Sequence, residues 1–407
     1  MSQRIVGLVT EYNPFHNGHR YHALKSKEVT GAEFVVAVMS GSFVQRGEPA
    51  LLDKWTRAAT AVQNGVDLVI EIPAAFATSS AEYFATASVH LLNQLGVVDA
   101  MCFGSETGTL APLKAFASHA PHLDAILQGA RKEAQTLSYP ALRDRLLADH
   151  AGLTLSNPND VLGVEYLKAL DYFKSDIESA TLKRLGKGYH DQTLHKTDAG
   201  NSHTEFSSAT GIRHAILSGK GLESVAPFVP AETLNALELA GNHWPEPERL
   251  FLMLAYRLLG HTPETLKGIH DMEDGMEYRI LNTVRCAENL EALITGIKSK
   301  RTTRARIQRI LTKILMDVPT PLIGKNRESL PAYLRVLAFN DRGREVLSLA
   351  RKKAGLPVLT RVTPQNLLDE TMGQSLKLDL LSTDLRELLC GFAAKSLDLV
   401  TPPFYLK

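Results

Sequence analysis

The chain has 407 residues, with 45 Lys and Arg against 44 Asp and Glu, so no global field recruits a polyanion or a membrane surface, and a nucleic-acid partner must be met by a local patch. Its three cysteines, Cys102, Cys286 and Cys390, are widely spaced with no CxxC pair, which excludes a disulfide framework or a cysteine zinc site and fits a reducing cytoplasm. No signal-peptide h-region and no apolar run of ~20 residues is present, so a cytoplasmic protein without a membrane span is expected, of two or three domains at this length.

The first hundred residues alternate two periodicities. "RIVGLVT" is a short β-branched run, followed by a helix from Gly18 to about Val29. "EFVVAVMS" precedes a helix ending at Gly65, and "VDLVIEIP" precedes a helix near Glu82 to Leu95 and then "VVDAMCFGS". Strands apolar throughout are covered on both faces, so this is a β-α-β-α series with a parallel sheet, a doubly wound domain of the nucleotide-binding type. From about Pro227 apolar residues recur at i, i+3, i+4 in "ERLFLMLAYRLLG", "NLEALITGIKSK" and "RIQRILTKILM", which predicts helices. The expected fold class is therefore α/β, a Rossmann-like domain over residues 1–225 followed by a mainly α-helical domain over 226–407.

Ligands of such sheets sit beyond the carboxyl ends of the strands. The loop closing the first strand is "TEYNPFHNGHR". Pro14 fixes the backbone, Gly18 permits a tight turn or close approach, and His16 and His19 bracket the start of the helix. Helix N–H groups and two imidazoles form an anion site suited to a polyphosphate. The chemistry it suits best is attack on the α-phosphorus of a nucleoside triphosphate, where catalysis is mostly positioning and electrostatic stabilisation.

"NPFHNGH" resembles the HxGH signature of the nucleotidyltransferase superfamily. The wider set "VGLVTEYNPFHNGHRYH", "VAVMSGSFVQRGEPALLDKWTRA", "GVDLVIEIP", "CFGSE", "PNDVLGVEYLKAL" and "KRLGKGYHD" is similar to the bacterial tRNA(Met) cytidine acetate ligases. That resemblance implies activation of acetate by ATP to acetyl-adenylate and acetylation of the wobble cytidine of elongator tRNA(Met). It implies ATP along Val9, Thr10, Glu11, Tyr12, Asn13, Pro14, Phe15, His16, Asn17, Gly18, His19, Arg20, Tyr21 and His22, with His16 and His19 catalytic at the phosphates. Gly104, Asn159 and Arg184 match the family's remaining nucleotide contacts; Asn159 is preferred to Asn157 because it follows Pro158 directly. Ser207, Ser208, Thr210 and Arg213 of "FSSATGIR" are further phosphate candidates that could equally cap the next helix. Glu11 is open between orienting a histidine, holding a metal, accepting a proton and a structural role. Magnesium accompanies ATP, but no carboxylate cluster marks a protein-bound metal site.

The departure of Thr10 to Asn13 from the usual small-molecule pattern counts against the alternative, a small-molecule adenylyltransferase of the same superfamily. An RNA-binding module without catalysis would leave both histidines idle. For tRNA the best patch is Lys298 to Lys313, with Lys300, Arg301, Arg304, Arg306 and Arg309 and no acid; a helix from about Thr303 would bury Ile307, Ile310, Leu311 and Ile314 and present Arg306, Arg309 and Lys313. Lys54 and Arg57, i, i+3 on the second helix, are further candidates for RNA or ATP phosphates, and the run Ala350 to Lys353 is a weaker one. No protein partner is evident.

Overall fold

The computed structural model describes residues 3–119, 155, 157–184, 205–324 and 329–407. The apolar runs form β1 (Ile5–Thr10), β2 (Phe34–Ser40), β3 (Leu68–Ile72) and β4 (Ala100–Ser105). A fifth strand, β5 (Glu178–Lys183), pairs with β4. Its sequence ESATLK leaves it partly exposed at the sheet edge, and so it lacks the apolar run that reveals the others. These five strands are parallel in the order β5-β4-β1-β2-β3.

β2 shows why the sheet needs two covers. Val36 and Val38 belong to one buried cluster, whereas Val35, Ala37 and Met39 belong to the other, as the two-residue period of a strand requires. Helices α1 (Asn17–Thr30) and α2 (Lys54–Val62) cover the second face through Ala23, Trp55, Ala58 and Ala61. Helices α3 (Ala81–Gln94) and α4 (Pro158–Tyr172) cover the first through Phe84, Val89, Leu92, Val164 and Leu167. From β1 the chain crosses to β2 on one side and β4 lies on the other, so the switch point that opens a crevice falls at the carboxyl ends of β1 and β4.

The later helices of eight or more residues are α5 (Ala209–Leu217), α6 (Ala231–Ala240), α7 (Pro247–Leu259), α8 (Met276–Val284), α9 (Leu290–Ile297), α10 (Arg304–Met316), α11 (Asp341–Ala350) and α12 (Gly373–Leu389). Leu254, Ile280, Leu293, Ile310 and Ile314 share one buried cluster with Val36, Ile70 and Phe84 of the sheet and its helix. The segment is mainly helical, as expected, and also carries strands. β6 (Leu334–Asn340) joins the sheet antiparallel to β3, and β7 (Val358–Leu359) and β8 (Phe404–Leu406) pair with β6. The sheet therefore crosses the 225/226 boundary. Residues 226–407 supply its outer strands because Tyr333 to Ala338 are buried, apolar except for Arg335, whose charge is met by Glu71 and Asp398. Among the described residues no helix is long and apolar enough to cross a membrane.

Candidate active site

The turn after β1 is built by the two histidines themselves. His16 is the N-cap of α1: its Nδ1 accepts from the Gly18 N–H at 3.0 Å, while His19 Nδ1 accepts from the His16 N–H at 3.3 Å. This is a capping box made from imidazoles. The rings stack with centroids 3.7 Å apart at 23°. With both Nδ1 atoms engaged as acceptors, the neutral rings carry their protons on Nε2, so each offers one N–H donor to the cleft that both residues line. Gly18 is required for a reason beyond the tight turn: a Cβ there would stand 2.8 Å from His16 Cε1 and 3.0 Å from Nδ1. Gly18→Ala is expected to displace the His16 ring and lower acetate-dependent ATP–pyrophosphate exchange about tenfold to a hundredfold. The check is exchange kinetics beside an unchanged far-UV circular dichroism spectrum.

Burial, with the guanidiniums of Arg184 and Arg213 adding to it, lowers the His16 imidazole to about 3. Burial and the His16, Arg184 and His22 charges hold His19 well below the usual range, and burial with Arg184 takes His22 to about 4. All three are neutral at pH 7, so the anion site has neutral N–H donors beside permanent guanidinium charges. In the unfolded chain each would titrate near 6.5. The unfolded state therefore binds protons that the native state refuses. Stability is expected to be full above pH 6.5 and to fall as pH drops from there toward 4, read as a falling urea midpoint that flattens in a variant lacking the three histidines.

Around this turn the structure gathers most of the sequence candidates. Val9, Thr10, Glu11, Tyr12, Asn13, His16, Gly18, His19, Tyr21 and His22 line one cleft of about 220 Å³, together with Gly104, Asn159 and Arg184 and with Ser207, Ser208, Thr210 and Arg213. Pro14, Phe15, Asn17 and Arg20 do not line it. Phe15 is fully buried, Asn17 donates to the carbonyls of Glu205 (3.0 Å) and Pro227 (2.9 Å), and Arg20 is exposed. Asn13 serves the scaffold too: its Oδ1 accepts from Leu51 N at 2.8 Å and its carbonyl from Arg213 Nη1 at 2.8 Å. Ser208 is the N-cap of α5, accepting from Gly211 N at 3.0 Å. Glu11 accepts from Gln45 N at 2.9 Å, and burial pushes its carboxyl up despite that bond.

Beyond the histidines, Arg184 Nη1 donates to Asn159 Oδ1 at 3.2 Å, and Asn159 Nδ2 donates to Glu106 Oε1 at 2.5 Å. Glu106 also accepts from the N–H groups of Asn159 and Asp160 at the start of α4. It thereby fixes which way the Asn159 amide faces, a role the sequence reading missed although Glu106 stands in the quoted "CFGSE". Asn157 is the N-cap of α4, bonded to Asp160 at 3.2 Å, and does not line the cleft. A Cβ on Gly104 would lie 3.2 Å from Arg184 Cγ, so that glycine lets the arginine stem lie across β4. The remainder of the "KRLGKGYHD" block after Arg184 lies outside the described residues. The cleft's apolar lining, Phe84, Phe103, Leu162 and Tyr166, comes from β4 and from helix faces whose periodicity marks them only as core.

Two basic candidates are corrected. Lys54 is fully buried, with Nζ 2.7 Å from Glu71 and 2.6 Å from Asp398. Arg57 is fully buried and donates to the carbonyls of Glu11 (2.6 Å), Ser40 (3.2 Å), Leu52 (3.1 Å) and Gly41. Neither presents its charge to solvent or lines the cleft; Arg57 instead ties the ends of β1 and β2 together. Helix α10 forms as expected, capped by Thr303 and burying Ile307, Ile310, Leu311 and Ile314. Its cations are differently disposed. Arg304 makes two 2.6 Å bonds to Glu291, Arg306 bridges Asp271 (3.0 Å) and Glu273 (2.6 Å), and Arg309 is half-buried. Lys313 is fully buried, 2.8 Å from His270 Nδ1, and burial lowers it to about 7. Lys300 and Arg301 are exposed.

A family model described as HIGH Nucleotidyl Transferase matches residues 3–397. A tRNA(Met) cytidine acetate ligase of Alkaliphilus metalliredigens is 38% identical over 99% of both chains, and one of Syntrophotalea carbinolica is 40% identical over 88% of this chain and 85% of its own. The crystal structure of apo TmcAL from Thermotoga maritima superposes with a TM-score of 0.90 at 31% identity, covering 99% of both chains. The same protein bound with alpha-thio ATP gives 0.87 at 30% identity over 99% of both. The chain belongs to the tRNA(Met) cytidine acetate ligase family of the HIGH nucleotidyl transferases.

Proposed function

We propose that this protein activates acetate with ATP to acetyl-adenylate and transfers the acetyl group to the wobble cytidine of elongator tRNA(Met), forming N4-acetylcytidine. The observation that carries the reading is the imidazole capping box, two Nε2–H donors fixed at a helix N-terminus beside Arg184 and Arg213, in a chain of this family. In the first step an acetate oxygen bonds to the α-phosphorus and pyrophosphate departs with the broken P–O pair. Acetate is already ionised at neutral pH, so no general base is needed. The negative charge spread over the phosphoryl oxygens is met by His16 and His19 as donors and by the guanidiniums, which bind phosphate through paired N–H groups. ATP is the substrate, and magnesium would arrive with it. In the second step the cytidine amine bonds to the acetyl carbon, AMP leaves with the C–O pair, and the nitrogen sheds one proton.

Incubation with ATP, labelled acetate and unmodified elongator tRNA(Met), followed by digestion, is expected to place label in N4-acetylcytidine at the wobble position. Pyrophosphate exchange that responds to a phosphorylated acceptor and not to acetate would overturn the reading. For RNA affinity, the exposed Lys300 and Arg301 are the phosphate contacts of the basic segment. Lys300→Ala with Arg301→Ala is expected to lower the slope of log affinity against log salt by roughly 1.5 while leaving acetyl-adenylate formation unchanged. Filter binding over a salt series reads that slope. A tRNA-modifying role supports a cytoplasmic location.

A further inference from the structure

A second cavity, of about 260 Å³, lies beside the nucleotide cleft, and Glu48 and Arg213 line both. We propose that this cavity receives the acceptor cytosine, flipped out of the anticodon loop, with its exocyclic amine held at the Glu48–Arg213 partition. The proposal rests on the ligase reading and adds to it where the base is held.

Three features point to a pyrimidine. The walls are apolar, with Leu250, Leu254 and Leu311 among them, and an apolar cavity of ~150 Å³ already admits a six-membered ring. Of its polar lining residues, Glu48, Arg213, Glu246, Gln308 and Thr312, the first two also line the nucleotide cleft. Glu48 Oε1 accepts from Gln308 Nε2 at 3.3 Å, and Glu48 Oε2 is 3.6 Å from Arg213 Nη2. A carboxylate at that point accepts from the cytosine 4-amine and repels the 4-carbonyl of uracil, while the Gln308 amide can face the ring N3. The third feature is the partition itself. The turn carrying Gln45 to Glu48 is closed by the Phe43–Pro49 bridge and anchored where Thr312 Oγ1 donates to the Gly47 carbonyl at 2.6 Å. Gln45 and Arg46 line the nucleotide cleft and Gly47 and Pro49 the second cavity, with Glu48 common to both. A cytosine amine at Glu48 is thus the nearest part of the base to the cleft in which the acetyl group is activated. Such a pocket fits an enzyme that must take a stacked base out of its loop before acting on it.

The test uses the full-length protein with unmodified elongator tRNA(Met). Leu217 lines the cavity yet is 55% exposed, so Leu217→Trp fills its entrance without disturbing the core. Acetate-dependent pyrophosphate exchange should stay within about twofold of wild type and tRNA affinity should hold, because phosphate contacts dominate it, while acetyl transfer falls at least about tenfold. Gln308→Leu, which adds no bulk, should lower the transfer rate at saturating tRNA with an unchanged KM for tRNA. Wild-type transfer by Leu217→Trp overturns the assignment of the cavity and leaves the ligase reading standing. Loss of exchange in both variants also overturns it, since the cavity would then serve the nucleotide. Failure of the wild-type protein to acetylate the tRNA refutes the ligase reading itself.

Discussion

Removal of either imidazole is expected to cost acetyl-adenylate formation about a hundredfold to a thousandfold, or roughly 2.7–4 kcal/mol of transition-state stabilisation per donor. His16 and His19 each spend Nδ1 on the backbone of the turn, so the loss has two sources in an alanine variant: the Nε2–H donor and the cap. His16→Ser separates them. A serine at the N-cap can accept from the backbone N–H of the first turn and keep the roughly 1 kcal/mol that a cap contributes, yet it puts no donor at the phosphates. The expected result is therefore a His16→Ser variant with near wild-type thermal stability and the full rate defect. His19→Ala should match it in rate. Wild-type pyrophosphate exchange by either variant would remove the histidines from the chemistry.

The second large effect is on stability. Lys54→Met is expected to destabilise the fold by about 3–5 kcal/mol, the range for breaking a buried ion pair from one side. The lysine sits with no exposure between Glu71 and Asp398, and Arg335 reaches the same two carboxylates from the other side. Burial alone would raise Asp398, but Lys54 and Arg335 bring its carboxyl below the ordinary range. Without the lysine, one guanidinium faces two buried carboxylates, with Asp379 close by. Methionine replaces the stem but not the charge. Urea unfolding reads the loss, and tRNA affinity measured where the variant is folded should be unchanged. Weakened tRNA binding with normal stability would reverse the burial argument.

Lys54 also shows where sequence reading stops. Its partners lie 17 and 344 residues away, so no window around "DKWTRA" could distinguish a buried ion pair from a solvent-facing cation. Arg57 follows the same logic, since three of its acceptors are carbonyls at the ends of β1 and β2. The HxGH turn was legible because everything that makes it is local: proline before, glycine within, the two rings three residues apart, and a helix whose first N–H groups need acceptors. The parallel sheet was legible for the related reason that strands buried on both faces need unbroken apolar runs. β5 has no such run, and β6 lay inside a stretch dominated by helical spacing. Glu106 went unassigned because its partner Asn159 is brought near by the fold across 53 residues.

The pairing of β6 with β3 has a consequence during synthesis. Until Leu334–Asn340 emerge, β3 presents an open edge of unpaired N–H and C=O groups, the kind of template that invites strand exchange with another chain. The buried Lys54 likewise waits for Asp398, 344 residues later. A nascent chain that has passed Arg213 but not Leu334 would hold every cleft-lining side chain and still lack the strand that pairs with β3. Late-made residues are thus sewn back onto the first strands and helices, and closure of the sheet waits for their synthesis.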